Sequence, residues 1–206
     1  MKESIVKNVE KLAKVGTSEK RLISAFTIFK PTKRNWKKYL CILFLCGIPT
    51  YLISTSLETV SLFGEALDII MDVILALFGI IFTGYAFFQA LVNDELLLNM
   101  LEESNIKKKK SKLQETNEFF VELMMLYVVS IMSLVVLRIT ISAIPDEFVL
   151  CNNSLWNNFI AAFLIELYFV FNAFILWETK SFIFNVFQLF NAHTVARVIE
   201  LYRGKE

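Results

Sequence analysis

Residues 69–91 read IIMDVILALFGIIFTGYAFFQAL, with one charged residue, Asp72. As a helix rising 1.5 Å per residue this run spans about 35 Å, enough to cross a hydrocarbon core of ~30 Å. One side of it is a stripe of mostly small residues. Asp72, Ala76, Gly79, Thr83, Ala86 and Ala90 follow at steps of four, three, four, three and four, and Glu65 and Asp68 extend the stripe outward. Most other positions are bulky, among them Ile69, Val73, Leu77, Phe82 and Phe87. Small residues let helices approach closely in lipid, so the stripe is expected to pack against protein while the bulky side faces lipid.

The rest of the chain supports this reading. Apolar residues make up 56% of 206, above the 45–50% usual for soluble domains, and they are clustered. Tyr39–Leu57, Leu123–Ile144 and Phe159–Trp177 are three further apolar runs of spanning length. In lipid only helices and closed barrels satisfy the backbone, and runs this long exclude barrel strands. The expected fold is therefore an all-α integral membrane protein with four transmembrane helices, about 39–57, 66–91, 121–144 and 159–177. No secretory signal peptide is read, and the first run is expected to remain in the mature chain.

Charge sets the topology. Of 21 Lys and Arg, eleven precede Tyr39, five (Lys107, Lys108, Lys109, Lys110, Lys112) lie between the second and third runs, and four follow the fourth. None lies in the two short acidic loops, which hold Glu58, Glu65 and Asp68, and Asp146 and Glu147. The basic side is expected to be cytoplasmic. Both termini then lie inside, in a multi-pass protein of the inner or plasma membrane.

Outside the spans the chain reads as cytoplasmic or interfacial helix. Residues 1–38 hold two amphipathic stretches, one with Ile5, Val9 and Leu12 opposite Lys7, Lys11 and Lys14, suited to an anionic membrane surface. Residues 92–120 continue the second and third spans as a helical hairpin with the lysine run at its tip. Such a run usually marks a solvated, positive-inside loop; anionic lipid or nucleotide is the alternative ligand. No interleaved aromatic residues support nucleic-acid stacking, so no nucleic acid is expected. Residues 178–206 form a C-terminal helix whose Ile183, Phe187, Phe190, Val198 and Leu201 share a face, expected to pack on the hairpin or on another subunit.

Asp72, Arg138 and Glu166 sit well inside their spans, where each costs ~2.5–3.5 kcal/mol or more. Counted from the outer ends, Asp72 is ~5–9 Å deep, Arg138 ~9 Å and Glu166 ~10 Å. Their common depth predicts a cluster in which Arg138 bridges Asp72 and Glu166. Pro49 is expected to kink the first span.

No catalytic residues are assigned. A single histidine, His193, argues against a histidine-rich metal centre or a Ser–His–Asp arrangement. Gly79 and Gly84 form neither a phosphate loop nor a dinucleotide fingerprint. Cys41 and Cys46 lack Cys-x-x-Cys spacing, and Asp72 lacks the paired-Asp setting of an intramembrane protease. No cofactor and no metal are expected. The remaining classes are an oligomeric membrane sensor, channel or membrane-perturbing effector coupled to cytoplasmic partners, a transporter or transporter accessory subunit, and a scaffold recruiting a soluble protein. A transporter usually shows internal repeats, and none is visible. The compact plan, both ends inside with a basic hairpin, resembles in architecture the small multi-span membrane components of bacterial phage-defence and toxin systems. That resemblance implies an antiviral or stress effector.

Overall fold

The computed structural model describes residues 3–13, 16–31, 35–92, 94–102, 104–105, 110–149 and 151–203. In order these form α1 (Glu3–Ala13), α2 (Ser18–Ala25), a 3-10 turn (Phe26–Phe29), α3 (Trp36–Ser54), α4 (Thr59–Leu91), α5 (Asp94–Glu102), β1 (Ser104–Asn105), β2 (Lys110–Ser111), α6 (Lys112–Ser142) and α7 (Ser154–Arg203). The described residues are almost all helical, and the class is all-α. By length and composition α3, α4, α6 and α7 can each cross a membrane, which fits a multi-pass membrane protein.

Local hydrogen bonding sets the boundaries. After α3, Thr55 N–H donates to the Tyr51 carbonyl and Ser56 N–H to that of Ile53, each at 3.2 Å. The Ser56 hydroxyl oxygen accepts from Glu58 N–H, and the Thr59 hydroxyl donates back to the carbonyls of Ile53 and Ser56. This tight turn lets α4 begin at Thr59 rather than near residue 66, so Glu65 and Asp68 are helical rather than in a loop. At the start of α7 the Asn153 side-chain oxygen accepts from Leu155 N–H at 3.0 Å and Trp156 N–H at 3.3 Å, an N-cap. From there α7 runs unbroken for 50 residues, about 75 Å. Pro49 lies inside α3 without ending it.

The region 92–120 departs from a simple helical hairpin. α4 stops at Leu91, and α5 is a separate helix that packs against α1 and β2. β1 and β2 pair antiparallel, Ser104 opposite Ser111, so a short β-ladder follows α5 and precedes α6. Ser111 then caps α6, its hydroxyl oxygen accepting from Gln114 N–H.

The described chain divides into two compact units. The first comprises Met1–Ala25, Gly79–Met125 and Thr179–Glu206. Its centre is aromatic: Phe120, fully buried, lies with its ring centroid 5.3 Å from those of Phe88 and Phe182 and 5.8 Å from that of Tyr85. Polar contacts fix the periphery. The Asn8 amide donates to the Leu101 carbonyl at 2.8 Å, and the Tyr85 hydroxyl to Asn117 at 2.7 Å. The Glu122 carboxylate accepts from the Ser24 hydroxyl.

The second unit comprises Phe26–Phe78 and Leu126–Glu178. Phe29 packs on Phe171 and Phe174, and Tyr39 stacks on Phe174 while donating to the Phe29 carbonyl at 2.9 Å. Lys38 pairs with Glu178 and lies 5.0 Å from the centre of the Phe174 ring. These contacts join the polar start of α3 to α7. Deeper in the unit, the fully buried Ser130 hydroxyl donates to Asn172, whose amide donates to the Tyr168 carbonyl at 3.0 Å.

Candidate functional site

The stripe on α4 points away from the rest of its own chain. The buried residues of α4 are Phe63, Gly64, Leu67, Ile74, Ile81 and Phe88, and Leu67, Ile74, Ile81 and Phe88 are spaced every seven residues. At about 100° per residue they lie on the side of the helix opposite Asp72, Ala76, Gly79, Thr83, Ala86 and Ala90. Every one of those stripe residues is exposed, as are Glu65 and Asp68. The small side, expected to pack against protein, is therefore not buried against the described residues of its own chain. Large side chains at heptad spacing fill the contact within the chain, and the small side is left unpartnered. Around Gly79 no side chain comes within 4 Å of where a Cβ would stand, and the Thr83 hydroxyl is satisfied within the helix by the Gly79 carbonyl at 2.8 Å.

The predicted three-residue charge cluster is not assembled. Arg138 donates from Nε to Asp68 Oδ1 at 2.7 Å, and its Nη1 lies 2.9 Å from where a Cβ on Gly64 would stand. The partner is thus one helical turn closer to the end of α4 than Asp72. The long Arg side chain reaches toward the helix end, where water is nearest, a snorkelling preference that depth counting omits. Asp72 stays on the exposed stripe, away from Arg138. Glu166 accepts instead from the Thr50 hydroxyl at 2.7 Å. Its other carboxyl oxygen, Oε1, is buried and unpartnered, as is the Tyr168 hydroxyl. Thr50, buried one residue after Pro49, gave no sequence signal that it would meet a carboxyl group on α7.

Comparison with protein-family models, with curated proteins and with solved structures finds no match. The chemistry must be read from this chain alone.

Of the basic tip, Lys107, Lys108 and Lys109 lie outside the described residues. Lys110 is paired with Glu118, which also accepts from Arg21 and Gln114, each at 3.0 Å. The group precedes the apolar run at 123–144. Burial pushes the Glu118 carboxyl up, but hydrogen bonds from Lys110, Arg21 and Gln114 outweigh it and hold the group below the ordinary carboxylate range. Its contribution to stability is therefore complete above the unfolded-state value near 4.3 and is lost as pH falls through the lower folded value. Glu118→Gln is expected to lower stability at neutral pH by about 1–2 kcal/mol, because both cations stay partly solvated. It should also flatten the acid limb of a thermal-stability profile. A variant profile that overlays the parent below pH 5 would show that Glu118 plays no such part.

Between α5, the start of α6 and α7 the first unit forms a half-open pocket of about 530 Å³. Leu96, Met100, Leu189 and Ala196 supply apolar walls, and Glu95 and Lys112 polar ones. Among the described residues no three of His, Cys, Asp and Glu stand close enough to hold a metal. His193 has a buried, unpartnered Nδ1.

Proposed function

We propose that this is a non-enzymatic membrane protein whose copies assemble around their α4 stripes to form a path for cations, acting as a channel or membrane-perturbing effector. The membrane is the inner or plasma membrane, with both termini in the cytoplasm. The outward stripe carrying Asp72 supports this reading. Facing lipid, Asp72 costs ~2.5–3.5 kcal/mol or more, and a row of Ala and Gly forgoes packing that bulky side chains would gain. Both costs fall when the stripe faces other copies around a hydrated axis. Glu65 and Asp72 then gather acidic groups at the outer mouth, beside the Asp68–Arg138 ion pair, and acidic rings favour cations. Four spans give one copy little room for such a path, so it forms between subunits. Expression in a bacterial cell is accordingly expected to depolarise the membrane and slow growth, in line with a defence or stress effector.

Purified protein in liposomes, with a potential-sensitive dye and opposed K⁺ and Cl⁻ gradients, tests the proposal. The expected result is K⁺-selective flux, with selectivity over Cl⁻ reduced several-fold by Asp72→Asn. Absence of flux from assembled protein would sink it. Flux only in the presence of one added solute would identify a transporter. Capture of a stoichiometric soluble protein without flux would identify a scaffold.

A further inference from the structure

The part of α7 beyond Lys180 carries an apolar face that stays about half-exposed among the described residues. Ile183, Phe184, Phe187, Phe190, Val195, Val198, Leu201 and Tyr202 are between 44% and 74% exposed. At 100° per residue they fall within about 140° of the helix circumference, with Thr194 among them near the centre. The buried residues Phe182 and Ala196 lie on the other side, against the first unit.

We propose that this face is the contact with the α7 of a second copy, the two helices running parallel and in register. Three arguments select that occupant. The first is area. Half-exposed aromatic and aliphatic side chains leave roughly 100 Å² each, so the face amounts to roughly 800 Å². That exceeds the 300–600 Å² patches usual on monomers and matches one side of a standard protein interface. The second is position. From Trp177, Ile183 is about 9 Å further along the helix and Tyr202 about 38 Å, so most of the face lies beyond a hydrocarbon core that ends near Trp177. Lipid can cover its beginning but not its length. The third is symmetry. Copies inserted in one membrane share an orientation, so a two-fold axis along the membrane normal makes their α7 helices parallel. Ile183, Phe187, Phe190 and Thr194 follow the four-three-four spacing of a helix seam, with Arg197 at its edge and Leu201 seven residues beyond Thr194, and each seam residue then meets its own counterpart.

This pairing rests on the C-terminal helix and is independent of the conduction path on α4. Single cysteines placed in a Cys41→Ala/Cys46→Ala/Cys151→Ala background test it on the purified full-length protein in liposomes. Under mild oxidation, Phe187→Cys and Thr194→Cys are expected to shift the gel band to twice the monomer mass. Asn185→Cys, on the other side of α7, is expected to leave it at the monomer mass. In the parent chain, Phe187→Lys/Phe190→Lys should abolish a lysine-directed chemical cross-link to the dimer while leaving the thermal transition of the monomer unchanged, since both rings are exposed. Equal cross-linking at all three cysteine positions, or at none, overturns the pairing. So does quenching of a fluorophore at residue 194 by brominated acyl chains, which would place lipid on the face. Cross-links without cation flux would sink the α4 path alone, and flux without cross-links would sink the α7 pairing alone.

Discussion

Gly84→Leu is expected to destabilise the first unit, while Gly79→Leu, five residues earlier on the same helix, is expected to leave each chain folded and remove assembly. A Cβ on Gly84 would stand 2.5 Å from Phe182 Cζ, well inside van der Waals contact. The ring cannot swing away at low cost, because Phe182 is buried and its ring packs against Phe120, which is itself held by Phe88 and Tyr85. Overpacking of this kind costs about 1–3 kcal/mol for small insertions, and leucine inserts more than a methyl group. Thermal unfolding in detergent should show a Tm several degrees lower. Trimming the obstructing ring provides the control: Phe182→Leu should recover part of what Gly84→Ala loses. If the two losses simply add, the contact is not the cause. Gly79 has open space where a Cβ would stand, so leucine there meets nothing in its own chain. The added bulk instead fills the stripe through which copies approach, so the oligomer and the cation flux are expected to disappear with Tm of the monomer unchanged. A Gly79→Leu protein that still assembles and conducts would refute the role given to the stripe.

These two glycines show what a sequence of this kind carries and what it leaves out. The apolar runs fix the number of long helices, because length and composition alone decide whether a helix can cross a hydrocarbon core. Small residues at three- and four-residue steps mark one side of α4, but spacing does not say which neighbour that side meets. Leu67, Ile74, Ile81 and Phe88 form an equally regular series opposite the stripe, and in the folded chain that series is the buried one. Gly84 lies outside the stripe yet makes the tighter approach, set by one ring on a helix a hundred residues away in sequence. Polar partners were the least legible. Depth along a helix places Asp72, Arg138 and Glu166 in one layer but says nothing of rotation about the axis or of side-chain reach. Arg138 extends one turn to Asp68, and Glu166 is met by Thr50. Helix ends were legible only where capping residues are read as such. Asn153 is the cap that starts a 50-residue helix.

The Thr50–Glu166 pair decides whether the partly buried Glu166 carboxyl is structural or functional. Thr50 is buried on α3 and donates to Oε2, while Oε1 is buried without a partner. Thr50→Val keeps the shape and removes the donor, leaving both carboxyl oxygens unpaired. An unsatisfied buried polar group costs about 1–3 kcal/mol, and an apolar bilayer offers no water to relieve it. The reverse change, Glu166→Leu, leaves only the Thr50 hydroxyl, which can turn back to the carbonyl four residues earlier in its own helix, and should cost less. Replacing both partners removes the unpaired groups together. Thr50→Val/Glu166→Leu is therefore expected to be more stable than Thr50→Val alone, with a coupling of about 1–3 kcal/mol in a double-mutant cycle read by thermal unfolding in detergent. Additive losses would show that the hydrogen bond does not hold the helices together. Cation flux of the double variant separates the two roles. If it is stable and still conducts, the carboxyl serves register. If it is stable and silent, Glu166 is needed for the path itself, and the unpartnered Oε1 is where a proton or an ion has to be met.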